Sequence, residues 1–202
     1  MSTEAKTKNK VDMDPKYLAK LAAILLVISA ISAALLAAVN GITAPIIAQI
    51  NAEKTQTAMA AVVTDPESTF TPVELTQEML DAAASYADGV LLTVNEVTSN
   101  GSFAGYVGEV EIMGFQPGID MIVGIDADGG VTGISIVSMS ETSGLGTKAQ
   151  DSAWLAQFIG GTEPFSVDKD GGTISALTGA TVTSRAVTNG VDGVMAAVKT
   201  LG

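Results

Sequence analysis

"IVGIDADGGVTGISIV", residues 122–137, decides how the chain folds. Val and Ile alternate with small and polar residues on both sides of Asp128-Gly129-Gly130. Alternation with period two, broken by such a tip, predicts two antiparallel strands joined by a tight turn. "DADGG" also opens like a calcium loop. The twelfth position of such a loop needs a Glu, and Ile136 or Val137 stands there, so the stretch is read as a plain turn. "DKDGG" at 168–172 is read the same way.

The same texture, rich in Val, Ile and Gly, extends back through "GSFAGYVGEVEIMGF" and fills residues 90–139 with strands. Beyond it, "SGLGTKAQDSAWLAQFIG" predicts a short helix that packs Trp154 and Phe158 on the sheet. "GGTISAL" predicts a strand and "TGATVTS", residues 178–184, a turn. "SRAVTNGVDGVMAAVKTLG" then repeats Val187, Val191, Val194 and Val198 at spacings of four, three and four, an amphipathic helix. Strands with a few interleaved helices make the domain α+β.

On the other side of the hairpin, residues 64–90 mix turn signals with a short helix beginning near Val73. Residues 40–63 read as helix after Pro45, with Ile46, Ile47 and Ile50 on one side. "LAAILLVISAISAALLAAV", residues 21–39, contains no charge, Gly or Pro. As a helix it spans roughly 28 Å at about 1.5 Å per residue, close to a bilayer core. A signal peptide's apolar region is shorter, so a retained anchor is expected. Lys6, Lys8, Lys10, Lys16 and Lys20 precede it, and the next basic residue is Lys54. The positive-inside bias puts the N-terminus in the cytoplasm and the domain outside. The expected layout is a cytoplasmic tail at 1–20, a transmembrane helix at 21–40, a connecting helical segment at 41–89 and the folded domain at 90–202.

Composition removes several functions. The chain has no Cys and no His, so disulfides, thiolate zinc sites and His-based triads are unavailable. A net charge of -12 and an aromatic content of 4% argue against nucleic acid. "STF", "SGLGTK" and "TSR" lack the Ser-x-x-Lys spacing that a hydrolase would need.

"TGATVTS" admits two readings. In one, Thr183 or Ser184 caps the following helix and Gly179 supplies the turn. In the other, the helix start is an anion site: free N–H groups and a partial positive charge face a phosphate, Gly179 and Ala180 allow close approach, and Thr178, Thr183 and Ser184 donate to its oxygens. Arg185 is the one adjacent cation. A phosphate free to exchange would be held weakly in so acidic a chain, whereas a covalent bond to a hydroxyl would retain it.

"TGAT", ending in Thr181, resembles the S/T-G-A-T motif of the FMN-binding domain family, and "ETSGLG", residues 141–146, resembles that family's upstream E-T-x-G-L-G segment. The resemblance covers about residues 90–198. With the single anchor it extends to the family members that serve as G subunits of Rnf electron-transport complexes. Ser175, Met139 and Ser143 stand where the family usually has Asp, His and Pro.

The resemblance implies FMN joined through its phosphate to Thr181. It also implies that Gly144 and Gly146 fold a loop around Leu145, with that side chain against the flavin ring. Thr142 would bond a polar ring edge, Glu141 would bind the ribityl hydroxyls or hold the loop, and Lys148 would stand exposed or near the ring. Implied partners are a flavin transferase, the lipid bilayer and the other Rnf subunits, especially the flavin-bearing membrane subunit. The implied function is electron transfer within an ion-translocating ferredoxin:NAD oxidoreductase. The alternatives are a stand-alone anchored flavoprotein reductase and a non-redox ligand-binding module.

Overall fold

The structure, a computed structural model, describes residues 15–65, 67–162 and 164–202. The predicted tail therefore lies, up to residue 14, outside the described residues. The chain divides into two compact units, one ending at Ile50 and one running from Asn51 to Gly202.

Helix α1 (Pro15–Ala61) begins in the first unit and ends in the second. It contains a stretch long and apolar enough to cross a membrane, and Leu25, Leu26, Leu35, Leu36, Ile46 and Ile47 are all exposed along it. Pro45 was expected to open a second helix but lies inside this one. Proline has no N–H for the carbonyl four residues back. That residue is Gly41, whose missing side chain leaves nothing within 4 Å of where its Cβ would stand.

In the second unit, β1 (Thr69–Val73), β2 (Gly89–Ser99), β3 (Ser102–Ile112), β4 (Ile119–Asp126) and β5 (Val131–Ser138) form one sheet in chain order. Every neighbouring pair is antiparallel. The sheet starts earlier than residue 90: β1 comes from a stretch read as turns, and it tolerates Pro72 because an edge strand has one unpaired side. Asn100-Gly101, with φ of 50° and 77°, closes β2 on β3. Positive φ at both positions is the two-residue hairpin geometry that Asn-Gly favours. The predicted tip at Asp128-Gly129-Gly130 joins β4 to β5, and Asp126 Oδ1 accepts the N–H groups of Asp128 and Gly130 there.

Helix α4 (Thr181–Lys199) covers the core face of the sheet. Its stripe of Val187, Val191, Val194 and Val198 is buried with Val110, Ile112, Met121 and Val123. Helix and sheet approach closely because Gly108 leaves room: a Cβ there would overlap Val194. Helix α2 (Gln77–Ala84), capped by the Thr76 side chain, adds Met79 and Ala83 to this core. The opposite face carries Val97, Val107 and Ile122 under Ala58 and Val62. Gly124 and Gly133 lie so close beneath Val62 that either Cβ would press on its backbone.

After β5 come a 3₁₀ turn (Gly146–Gln150) and the short α3 (Ser152–Leu155), which buries Trp154 beside Phe158 as expected. "GGTISAL" is not a strand. It makes one parallel bridge, Ile174 to Val167, and the Ser175 carbonyl accepts the Trp154 indole N–H.

Candidate functional site

The "TGATVTS" segment is both turn and helix. Gly179, with φ of 78°, sits in the left-handed region, and the helix begins at Thr181 with Ala180 preceding it. Neither Thr183 nor Ser184 caps the helix, because both lie inside its first turn and no side chain caps this end. They are buried and bonded elsewhere. Ser184 Oγ donates to the Ala180 carbonyl at 3.0 Å and accepts the Leu177 N–H at 3.0 Å. Thr183 Oγ1 donates to Glu141 Oε2 at 3.1 Å. The Ser184 N–H already reaches the Ala180 carbonyl, so the N–H groups just before it are the ones a helix start leaves without intrahelical acceptors. Thr178 is exposed and Thr181 half-buried, and neither hydroxyl has a bonded partner among the described residues. The segment therefore holds two structural hydroxyls and two open ones.

Forty residues upstream, the "ETSGLG" loop packs against this helix start. Glu141 is buried, and its Oε1 accepts the N–H groups of Phe115 at 2.7 Å and Gln116 at 3.2 Å. The Thr142 carbonyl accepts the N–H groups of Leu145 and Thr147, which curls the loop. Gly144, with φ of 76°, donates its N–H to Thr147 Oγ1. Leu145 projects outward and would lie 3.3 Å from a Cβ at Gly179.

Between the two segments lies a cavity of about 460 Å³. Glu141, Thr142, Leu145, Gly179, Ala180, Thr181 and Thr183 line it, so most of the residues chosen from the sequence meet around one space. Thr178, Gly144 and Ser184 are not in its wall. Phe115 and Val182 are, both exposed and apolar, and sequence reasoning missed them. Phe115 sits in an irregular loop that no periodicity marks. Val182 falls off the buried stripe of α4, which was its signal.

The wall carries no basic side chain among the described residues. Arg185, the cation next to the motif, is turned to Asp170 in a two-pronged pair at 2.6 and 2.7 Å. That bond holds the Asp170 carboxyl below its ordinary range. Lys148 is exposed and does not line the cavity. The arrangement offers an anion the start of a helix and the open hydroxyl of Thr181, and offers a flat apolar group the surfaces of Phe115, Leu145 and Val182.

Residues 114–196 match the FMN-binding domain family. The chain is 36% identical over 206 residues to the G subunit of the Na(+)-translocating ferredoxin:NAD(+) oxidoreductase complex of Acetobacterium woodii, covering 92% of this chain and 94% of that one. It is 33% identical over 176 residues to the G subunit of the ion-translocating oxidoreductase complex of Methanosarcina acetivorans, covering 86% and 90%. Among solved structures it resembles that of Shewanella oneidensis NqrC, with a TM-score of 0.44 and 22% identity over 70% of this chain and 72% of that one.

Proposed function

The chain belongs to the family of G subunits of ion-translocating oxidoreductase complexes, and from that membership we propose an anchored electron-transfer subunit whose one FMN is bound through its phosphate to Thr181 Oγ1. One observation carries the assignment: of the hydroxyls in "TGATVTS", Thr181 alone is both free of a partner and in the cavity wall.

The residues present fit the group. Its phosphate would meet the N–H groups at the start of α4, and its ring would lie on the apolar side of the cavity. Among the described residues no basic side chain lines the cavity, which favours a covalent hold on the phosphate over an exchanging one. Bound there, the isoalloxazine supplies the redox chemistry. The chain's own residues orient it: Leu145 and Phe115 exclude water from the ring, Thr142 offers a bond to its edge, and Gly179 keeps the phosphate's path to the backbone open.

Attachment is a phosphoryl transfer. Thr181 Oγ1 would give up its proton and bond to the phosphorus of the FMN half of flavin adenine dinucleotide, with adenosine monophosphate as the leaving group. A flavin transferase is thus one partner. The other members of the complex are the rest, the flavin-bearing membrane subunit among them. The N-terminus faces the cytoplasm and the domain the opposite side.

The test is a denaturing gel viewed under ultraviolet light. The full chain produced with a flavin transferase should fluoresce and gain the mass of FMN less water. Thr181→Val should abolish both signals and Thr178→Val should leave them. Fluorescence that survives Thr181→Val, or flavin that washes out in denaturant, overturns the assignment.

A further inference from the structure

We propose that Glu141 is a positioning residue whose buried carboxylate fixes where the Thr181 hydroxyl stands in the cavity. The inference rests on the reading of Thr181 as the FMN acceptor and adds what aims it.

The geometry joins three segments through one side chain. Oε1 takes two N–H groups from the loop after β3, and Oε2 takes the hydroxyl of Thr183 in the first turn of α4. Two glycines make this possible. A Cβ at Gly114 would overlap Oε1. A Cβ at Gly146 would lie 2.6 Å from Oε2 and 3.0 Å from Thr183 Oγ1. Neither glycine has a positive φ, so space rather than backbone freedom is what they supply. The Glu141–Thr183 bond is thus buried close against the backbone of Gly146, at the cavity wall.

What the bond controls follows from the helix start. The valine stripe seats α4 on the sheet, but its first turn has no side-chain cap, so the bonds of Thr183 and Ser184 are what tie that turn down. Ser184 ties it only to its own turn, at Leu177 and Ala180. Thr183 ties it to the upstream loop, across 42 residues of chain. Thr181 stands in the same turn, so its direction is set by the same anchor. With three of roughly four acceptor positions on the carboxylate used, Glu141 has little left to offer a ribityl chain.

The experiment uses the full chain, purified in detergent without flavin, with a flavin transferase and flavin adenine dinucleotide. The readout is the initial rate at which covalent fluorescence and mass appear, alongside helix content and melting temperature. Thr183→Val keeps the side chain's shape and removes one bond, and it should slow attachment about fivefold without abolishing it, the factor that about 1 kcal/mol represents. Glu141→Ala should slow it at least as much, and the double variant no more than Glu141→Ala alone. Glu141→Gln should stay within about twofold of wild type, because its carbonyl still accepts from Phe115 and Gln116 while its amide donates to Thr183 Oγ1, a hydroxyl that can accept as well as donate.

Wild-type rates in Thr183→Val overturn the proposal, and this variant alone decides if Glu141→Ala does not fold. A folded Glu141→Gln as slow as Glu141→Ala also overturns it, since the charge would then matter rather than the strut. Attachment to Thr181→Val sinks the acceptor assignment instead.

Discussion

Asp120 on β4 lies directly across from Glu111 on β3, and its Oδ1 is buried with no hydrogen-bond partner among the described residues. Burial, then the charges of Glu109 and Glu111, push its carboxyl up from an ordinary 3.8 to about 6. The fold therefore favours the protonated form. An acid whose folded value exceeds its unfolded one contributes stability as pH falls through the folded value, here from above 6 toward 4. Its ionised form is a cost at neutral pH. Asp120→Asn should raise stability at pH 7.5 by about 1 kcal/mol, a figure reduced for the group's partial exposure, and the gain should disappear below about pH 4. Melting temperatures of wild type and variant in detergent at pH 7.5 and 4 check this, and an equal gain at both would refute it. At the same scale Thr142→Ala should leave FMN attached, because in the proposed attachment retention rests on the bond to Thr181. Losing one bond of about 1 kcal/mol to a redox-sensitive edge should shift the midpoint potential by some tens of millivolts in a spectroelectrochemical titration. Residue identities were legible where chemistry is local: Thr181, Gly179 and the "ETSGLG" loop were all chosen from the sequence. The sorting of Thr183 and Ser184 into buried struts was not, because their partners at positions 141 and 177 are set only by folding.

Among the elements, α4 and the β4–β5 hairpin follow from spacing alone, since four valines on one face and alternation about a glycine tip leave one arrangement each. Strand β1 was hidden because Pro72 and neighbouring turn residues argue against a strand, and only pairing with β2 on an edge makes it one. The break expected at Pro45 did not occur, because a single lost bond is small against the remaining ladder of a 47-residue helix. The seat of α4 depends on Gly108. Gly108→Ala should destabilise the domain by about 1–3 kcal/mol, the range for forcing an extra methyl into a packed core. Val194→Ala alone also costs stability, but the two together should cost less than their sum, because each relieves the other's misfit. Thermal melts of the four chains give the coupling, and strict additivity would show that the helix does not sit where Gly108 admits it.

At the scale of the whole molecule, the basic residues before the apolar stretch set the expected orientation. Protease added outside intact cells should digest the flavin-bearing unit and spare the N-terminal residues. Protection of that unit with loss of the N-terminus would reverse the proposed topology. The division into an apolar helix and an α+β unit was legible because charge, hydropathy and period all change along the chain. Its boundary was not, since α1 continues beyond the apolar stretch and its last turns serve the second face of the sheet.

The residue proposed as the flavin acceptor opens the same helix that covers the core face of the sheet. During synthesis the five strands and α2 emerge first, and their apolar face lacks its main cover until α4 arrives. A chain stopped before residue 181 would have neither that cover nor the acceptor. A chain whose α4 has not docked would not hold Thr183 against Glu141. On the proposed attachment, the yellow colour of the protein would thus report more than cofactor supply: it would build up fastest on molecules in which α4 has been made and seated, a chemical trace of folding.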